Sequence, residues 1–486
     1  MDYLKLSITD IHNALLKGEI TPLDLVKAAI KKAKEDDNNA FEYICEKEAL
    51  EAVNKLDDSK KNNLLWGIPY VIKDNFSTKN IPTTASSNML NGYVPSFDSE
   101  VCLRLAEQGA ILIGKTTLDE LAMGGSGMTG HLGWTYNPWD KTHLHKVGGS
   151  SCGSAAACAA GIVPVAIGSD TGDSARKPGS YAGLVGLKPT WGRISRFGMF
   201  PFAASLDHVG FFTRNIQDSA IVLSALAGKD KKDATSSDRP VEDYPSLLNQ
   251  PLKGKRIAVI DEIFDSITNE TIRHAFNELL NKMVYTGAII NHVHMDIELC
   301  KAIYPTYFVI SCAESTSNNA YLDGIKFGPR CPADDYEEVI IKTRTKNLSA
   351  PIKRRFVIGS YSLLRENQSE VFLRAQKCRR LIVNAVNDIL KDYDSIFLPS
   401  SPTAAPLFKD NEFNRLTSEY LIADNYLAIA NFGGFPSINV PIGFENGLPF
   451  GATLTNKIFD ESNLLAIANN IEQLTGLANI VAGDKE

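Results

Sequence analysis

Apolar positions change their period along this chain, and the change divides it. Residues 1 to about 60 read as amphipathic helices, with apolar side chains recurring at helical spacing. Thr9 and Thr21 read as N-caps, and Pro22 follows Thr21 at a first-turn position where a missing N–H costs nothing. From Trp66 the texture turns to short β-branched runs separated by glycine. Residues 68–75 read as a strand entering a loop, 101–108 as a helix and 110–114 as a buried strand. A polar, charged stretch over 228–249 reads as a surface connection. Beyond it KRIAVI resumes as a strand, 269–284 carries a long helical pattern, and strands recur at 395–398 and 437–441. This alternation predicts an α/β sandwich with a mostly internal sheet. No repeat or low-complexity tract interrupts it.

Composition narrows the classes. With 44% hydrophobic and 22% charged residues over 486 positions, the chain has the balance of a soluble protein that folds. Its 57 acidic and 50 basic residues are spread evenly, so no basic stripe awaits phosphates, and nucleic acid is expected to dock on a partner. The first 22 residues are amphipathic and contain acids, unlike a signal or transit peptide, which predicts a cytoplasmic protein. No apolar run reaches the roughly 18 residues a membrane helix needs. The eight cysteines form no CxxC and no metal-ligand spacing with histidine, so buried reduced thiols and no metal are expected.

Glycine shows where to look for chemistry. Residues 148–215 hold 12 of the 35 glycines, including GGSSCGSAAACAAG and then VPVAIGSDTGDSAR. Each run presents a serine at a tight turn before a helix, and such turns leave backbone N–H groups aimed at one point, as a developing oxyanion requires. Ser150 and Ser174 lie 24 residues apart, enough for a helix and a returning strand to bring the hydroxyls together. A serine needs a base to take its proton. The Gly/Ser loops contain no histidine, whereas Lys73 in WGIPYVIKDN ends a buried-looking strand, where desolvation favours the neutral amine.

These three motifs resemble those of the amidase signature family. IPYVIKDN is similar to its lysine motif, GGSSCGSAA to its bridging-serine motif and GSDTGDSARKP to its nucleophile motif, and the match runs in register over 64–226 and more weakly beyond. The resemblance implies one domain over 1–486 with a large mixed central β-sheet covered by helices on both faces. Within it, 1–62 would be an N-terminal helical segment, 64–226 the catalytic core, 228–254 a surface connection and 255–486 the part that completes sheet and pocket. It implies that Ser174 forms the acyl-enzyme, that Ser150, in a cis peptide linkage, shuttles the proton to Lys73, and that the amides of Thr171, Gly172, Asp173 and Ser174 line the oxyanion hole.

Within the family the phrases LIGKTTLDELAMGGS, TYFVISCAESTSNNAYLDGIKFG and IKRRFVIGSYSL look like the A-subunit branch of the glutamyl-tRNA(Gln) amidotransferases. That resemblance implies a glutaminase. Arg355 would hold the carboxylate of glutamine, Asp424 its amine, and Tyr307, Met123, Gly124 and Ser126 the rest of the pocket. It also implies partner subunits B and C in a heterotrimer, ATP and Mg2+ on the partner, no cofactor in this chain, and tRNA(Gln) bound mainly through the partner.

The chain departs from the family where the chemistry is most sensitive. Asp173 stands where the nucleophile motif has a second glycine, Cys152 replaces a glycine in the bridging loop, and Lys177 follows Arg176. Asp173 is expected to turn outward toward Arg176 or Lys177, because a carboxylate facing the oxyanion would repel it. Two other readings carry weight. A stand-alone amidase would share the catalytic residues and differ in its acyl pocket, and a dead scaffold protein would explain Asp173 and Cys152. Residues 149–153 also fit G-x-S-x-G, but no strand precedes them, and Asp207 and His208, adjacent in sequence, would point apart around Ser151. Nothing else supports a thiol pair of Cys152 with His143 or His145.

Overall fold

In the computed structural model, which describes residues 1–326, 328–409 and 416–483, the β-branched runs pair into one mixed sheet. Its strands are β1 (Phe41–Ile44), β2 (Pro69–Lys73), β3 (Ile111–Thr116), β4 (Val165–Asp170), β5 (Val185–Lys188), β6 (His208–Thr213), β7 (Arg256–Ile260), β8 (Ile289–Val293), β9 (Ser395–Pro399), β10 (Ser437–Glu445) and β11 (Leu448–Thr455). Their order is β1-β3-β2-β4-β6-β5-β10-β11-β9-β7-β8, and helices cover both faces. The α/β expectation holds. Central strands β2, β4, β5 and β6 are buried throughout, which explains why they read as continuous apolar runs rather than alternating ones.

Strand β2 lies between β3 and β4 and is parallel to both, so the carboxyl ends of three strands open on the same side. Ligands of open α/β sheets gather at such ends. Lys73 is the last residue of β2, and Asp170 is the last residue of β4. Helix Cys152–Ala159 is built only of small residues (CGSAAACA), and every one is buried where it packs across β2, β3 and β4. Nothing larger would fit at Gly153, where a Cβ would fall 2.3 Å from the carbonyl oxygen of Ala40.

Two local expectations are corrected. Ser7, not Thr9, caps the first helix (Ile8–Lys17), its hydroxyl accepting from the amide of Asp10, whereas Thr21 caps Pro22–Lys34 as read. The N-terminal segment is not all helix: β1 sits within it as an antiparallel neighbour of β3, a pairing over some 70 residues that local periodicity cannot register. The stretch 228–249 is mostly exposed, and a few buried side chains pin it down. Tyr244 is fully buried there, its hydroxyl accepting from Arg193 Nε at 2.7 Å, and Leu248 and Leu252 are buried beside it.

Candidate active site

At the carboxyl end of β2, Lys73 is fully buried, and among the described residues it has no ion-pair partner. Its Nζ instead contacts three hydroxyls: Ser150 at 2.8 Å, Ser169 at 2.9 Å and Ser151 at 3.0 Å. An ammonium has three donors, and each finds one oxygen. Burial without a counter-ion lowers the Lys73 pKa to about 8, against a partial opposing pull from Cys152, Asp119, Asp170 and Asp207.

Ser150 reaches Lys73 from the loop ahead of helix Cys152–Ala159, where the Gly149–Ser150 peptide is cis. No strand precedes this turn, so only the second Gly/Ser turn is a strand-to-helix one. Ser151 donates to the carbonyl of Ser169 at 3.0 Å, tying the loop to β4. Neither Asp207 nor His208 approaches Ser151: Asp207 accepts from Thr171 Oγ1 at 2.7 Å, and His208 Nδ1 contacts the carbonyl of Leu206. Cys152 has its thiol pushed up to about 12 by burial and accepts from Thr135 at 3.3 Å, so it is neither thiolate nor base-paired.

The second turn leaves β4 and enters helix Arg176–Tyr181. Asp170 is its anchor. Burial alone would raise this carboxyl, but the Arg176 guanidinium at 3.0 Å holds it well below the usual carboxylate range. Asp170 also accepts from the amide of Ala175, and Arg176 donates to the carbonyl of Gly172, to Asn431 and to the carbonyl of Leu427. Among the described residues, the amides of Thr171, Gly172, Asp173 and Ser174 donate to no protein acceptor. Ser174 is 4% exposed, and its hydroxyl bonds to none of the described residues, so the structure joins Lys73 to Ser150 but leaves Ser174 outside that contact.

Asp173 pairs with Lys177, one helical turn on, at 2.9 Å; Arg176 is already taken by Asp170. Its backbone is not in the left-handed region, so the aspartate needs no glycine-like freedom there. Gly172 leaves room for the ring of Tyr307: a Cβ there would fall 2.8 Å from Tyr307 Cζ, so the ring would have to shift.

Above these turns opens a cleft of about 430 Å³. Gly124, Ser126, Asp173, Tyr307, Arg355 and Asp424 all line it. Tyr307 comes from helix Ile297–Asn318 and Arg355 from Ala350–Leu363. The guanidinium of Arg355 lies 5.2 Å from the Phe308 ring and 5.7 Å from that of Phe202, and its Nη1 is buried without a hydrogen bond. Arg354 also borders the cleft but is exposed. Asp424 Oδ1 pairs with Lys177 at 3.1 Å. Met123 departs from expectation: it is 1% exposed, and its side chain belongs to the core, not to the cleft wall.

Sequence reasoning missed two contributors. Ser169, a polar residue near the end of an apolar strand, signalled weakly. Asp119 lies just ahead of the run GGSGMTG, and its carboxylate gathers the amides of Ser126, Gly127, Met128 and Thr129 at 3.0 to 3.1 Å, shaping one wall of the cleft. Lys177, expected as a partner of Asp173, also pairs with Asp424. Six of the eight cysteines are buried, while Cys331 and Cys378 are partly exposed; all are free. Among the described residues no helix is long and apolar enough to cross a membrane.

Comparison with known proteins agrees with this fold. The chain is 40% identical over 481 residues to the A subunit of glutamyl-tRNA(Gln) amidotransferase from Syntrophomonas wolfei subsp. wolfei, covering 98% of this chain and 97% of that protein. It is 39% identical over 480 residues to the protein of the same name from Legionella pneumophila, covering 97% and 98%. The crystal structure of the corresponding A subunit of glutamyl-tRNA(Gln) amidotransferase from Thermotoga maritima matches with a TM-score of 0.80 at 33% identity, covering 97% of this chain and 95% of that one. Native peptide amidase from Stenotrophomonas maltophilia matches with a TM-score of 0.81 at 26% identity, covering 98% of each. The family model described as Amidase matches residues 24–465, and the chain belongs to the amidase signature family.

Proposed function

We propose that this chain is the glutaminase subunit of a tRNA-dependent amidotransferase. The observation that carries the reading is a buried lysine that, among the described residues, has no counter-ion and bonds only to hydroxyls, beneath a cleft whose walls suit a zwitterion. In its neutral form Lys73 takes a proton through Ser150 from Ser174, whose oxygen attacks the side-chain amide of glutamine. The hydroxyl of Ser174 has no competing partner among the described residues and is free to turn to Ser150. Negative charge on the amide oxygen meets the undonated N–H groups of residues 171–174. The proton returns to the leaving nitrogen, ammonia departs, and water releases glutamate from the acyl-enzyme by the same relay. Arg355, which lines the cleft, holds the substrate carboxylate, and Asp424 holds the ammonium, each charge finding an opposite partner out of bulk water.

Ammonia then serves a partner that activates the glutamyl end of Glu-tRNA(Gln) with ATP and Mg2+. Subunits B and C and tRNA(Gln) are the partners of this reading, in the cytoplasm, and the kinship with A subunits supports it. The test compares ammonia release from glutamine and from simple amides by the full chain in the assembly with which it co-purifies. Release from glutamine, lost in Ser174→Ala, supports the reading. Preference for simple amides favours a stand-alone amidase, and no covalent adduct at Ser174 favours a scaffold.

A further inference from the structure

The cleft contains one charge arrangement that the glutaminase reading does not explain. Lys177 is 7% exposed and sits between two carboxylates, Asp173 at 2.9 Å and Asp424 at 3.1 Å, and it also donates to the carbonyl of Asp424. A cation paired with Asp424 alone would cancel the charge that has to receive the ammonium of glutamine. Here the second carboxylate restores the balance, since two anions and one cation leave a net single negative charge on this wall. Both carboxylates remain partly open, Asp424 at 30% and Asp173 at 20%, and both border the cleft.

We infer that Asp173 and Lys177 are a matched pair. The carboxylate of Asp173 engages Lys177 so that Asp424 keeps its negative charge for the α-ammonium of the substrate. Asp173 is thus a positioning residue that sets specificity through Lys177, while its backbone amide belongs to the oxyanion loop. This explains why a negative side chain is tolerated beside the nucleophile. It is anchored one helical turn away, and its charge is neutralised by a buried cation. In keeping with this, burial tends to raise the Asp173 carboxyl and the lysine opposes that, while the two carboxylates hold Lys177 well above its ordinary value against burial.

The inference rests on the glutaminase reading, and its test uses a substrate pair that separates the two. Glutaramate has the same scissile amide and the same carboxylate as glutamine but lacks the ammonium. The full chain, in the assembly with which it co-purifies, is expected to prefer glutamine in kcat/KM. Asp173→Asn removes the charge at constant shape and should reduce that preference about tenfold or more, chiefly through KM for glutamine. Asp173→Asn with Lys177→Gln again leaves one net negative charge, and the preference should return to within about threefold of the parent. Lys177→Gln alone keeps both carboxylates and should not reduce the preference, which gives a reading even if the first variant folds poorly. Undiminished preference in Asp173→Asn, lack of recovery in the double variant, or loss in Lys177→Gln would each overturn the pairing while leaving the glutaminase reading intact. Parent protein that releases ammonia from neither substrate would overturn both.

Discussion

Lys73 decides how the chemistry responds to pH. Burial sets its pKa near 8, so the amine is mostly protonated below that value and free to accept a proton above it. The sign follows: kcat/KM for amide hydrolysis should rise through a single limb with its midpoint near pH 8, because the base acts only when neutral. A profile flat from about pH 6.5 to about pH 9, conditions spanning about one to two units around that midpoint, would exclude lysine as the base. Lys73→Met should lower kcat by about 10³-fold or more with the fold retained, measured against circular dichroism. At this scale the contact of Lys73 with Ser150 was legible, because one motif ends a buried strand on the lysine and the other sets the serine in a glycine turn. The partners of Lys73 were not all legible: Ser151 and Ser169 lie 78 and 96 residues away, and only the stacking of β2 beside β4 brings them near. The outward turn of Asp173 was half legible. Its partner is Lys177 because Arg176 is committed to Asp170, a competition that sequence neighbours do not reveal.

Two elements hold the nucleophile in place, and each gives a test. The first is the junction of β4 with helix Arg176–Tyr181, where Arg176 and Asp170 are both fully buried and share their remaining bonds with Asn431 and the carbonyl of Gly172. Removing one partner of a buried pair strands the other, so Arg176→Met should destabilise the protein by roughly 3–5 kcal/mol, read as a fall in calorimetric Tm. Arg176→Lys should recover only part of this, because an ammonium cannot fork between the two oxygens of Asp170. The second is the approach of helix Ile297–Asn318, whose Tyr307 ring rests on Gly172. Gly172→Ala should push the ring away and raise KM for the amide substrate about tenfold, while Tm shifts little. An unchanged KM would mean that Tyr307 does not shape the pocket. Strands and long helices were visible in the periodicity, but Asn431, 255 residues from Arg176, and Tyr307, on a helix far along the chain from Gly172, were not, since no local pattern links such distant segments.

The whole molecule depends on how the chain termini close over the central sheet, and here buried carboxyls make stability depend on pH. Asp218 accepts from the amide of Ile8 through both its oxygens, and Arg214 donates to the carbonyls of Leu4 and Leu6, so the first helix is docked on the helix Ile216–Leu226. Glu472, from the last helix, accepts from the amide of Ile216 nearby. The full-length sheet was legible as an α/β pattern, whereas this closure was not, because it needs a carboxylate to serve the amides of a helix over 200 residues away. Burial pushes Asp218 up to about 7 and Glu472 up to about 8, the latter also repelled by Asp218. Their ordinary values are 3.8 and 4.5, so the folded chain binds protons that the unfolded chain has lost. Stability from these groups is therefore fully present below about pH 4 and is lost as pH rises through 7 to 8, opposite in sign to an ion-paired carboxylate. Asp218→Asn keeps an acceptor for Ile8 and removes the titration. The Tm of this variant minus that of the parent should be smallest at about pH 4, grow to several degrees by about pH 8 and level off above. A difference that stays constant over that range would show that Asp218 does not titrate with folding.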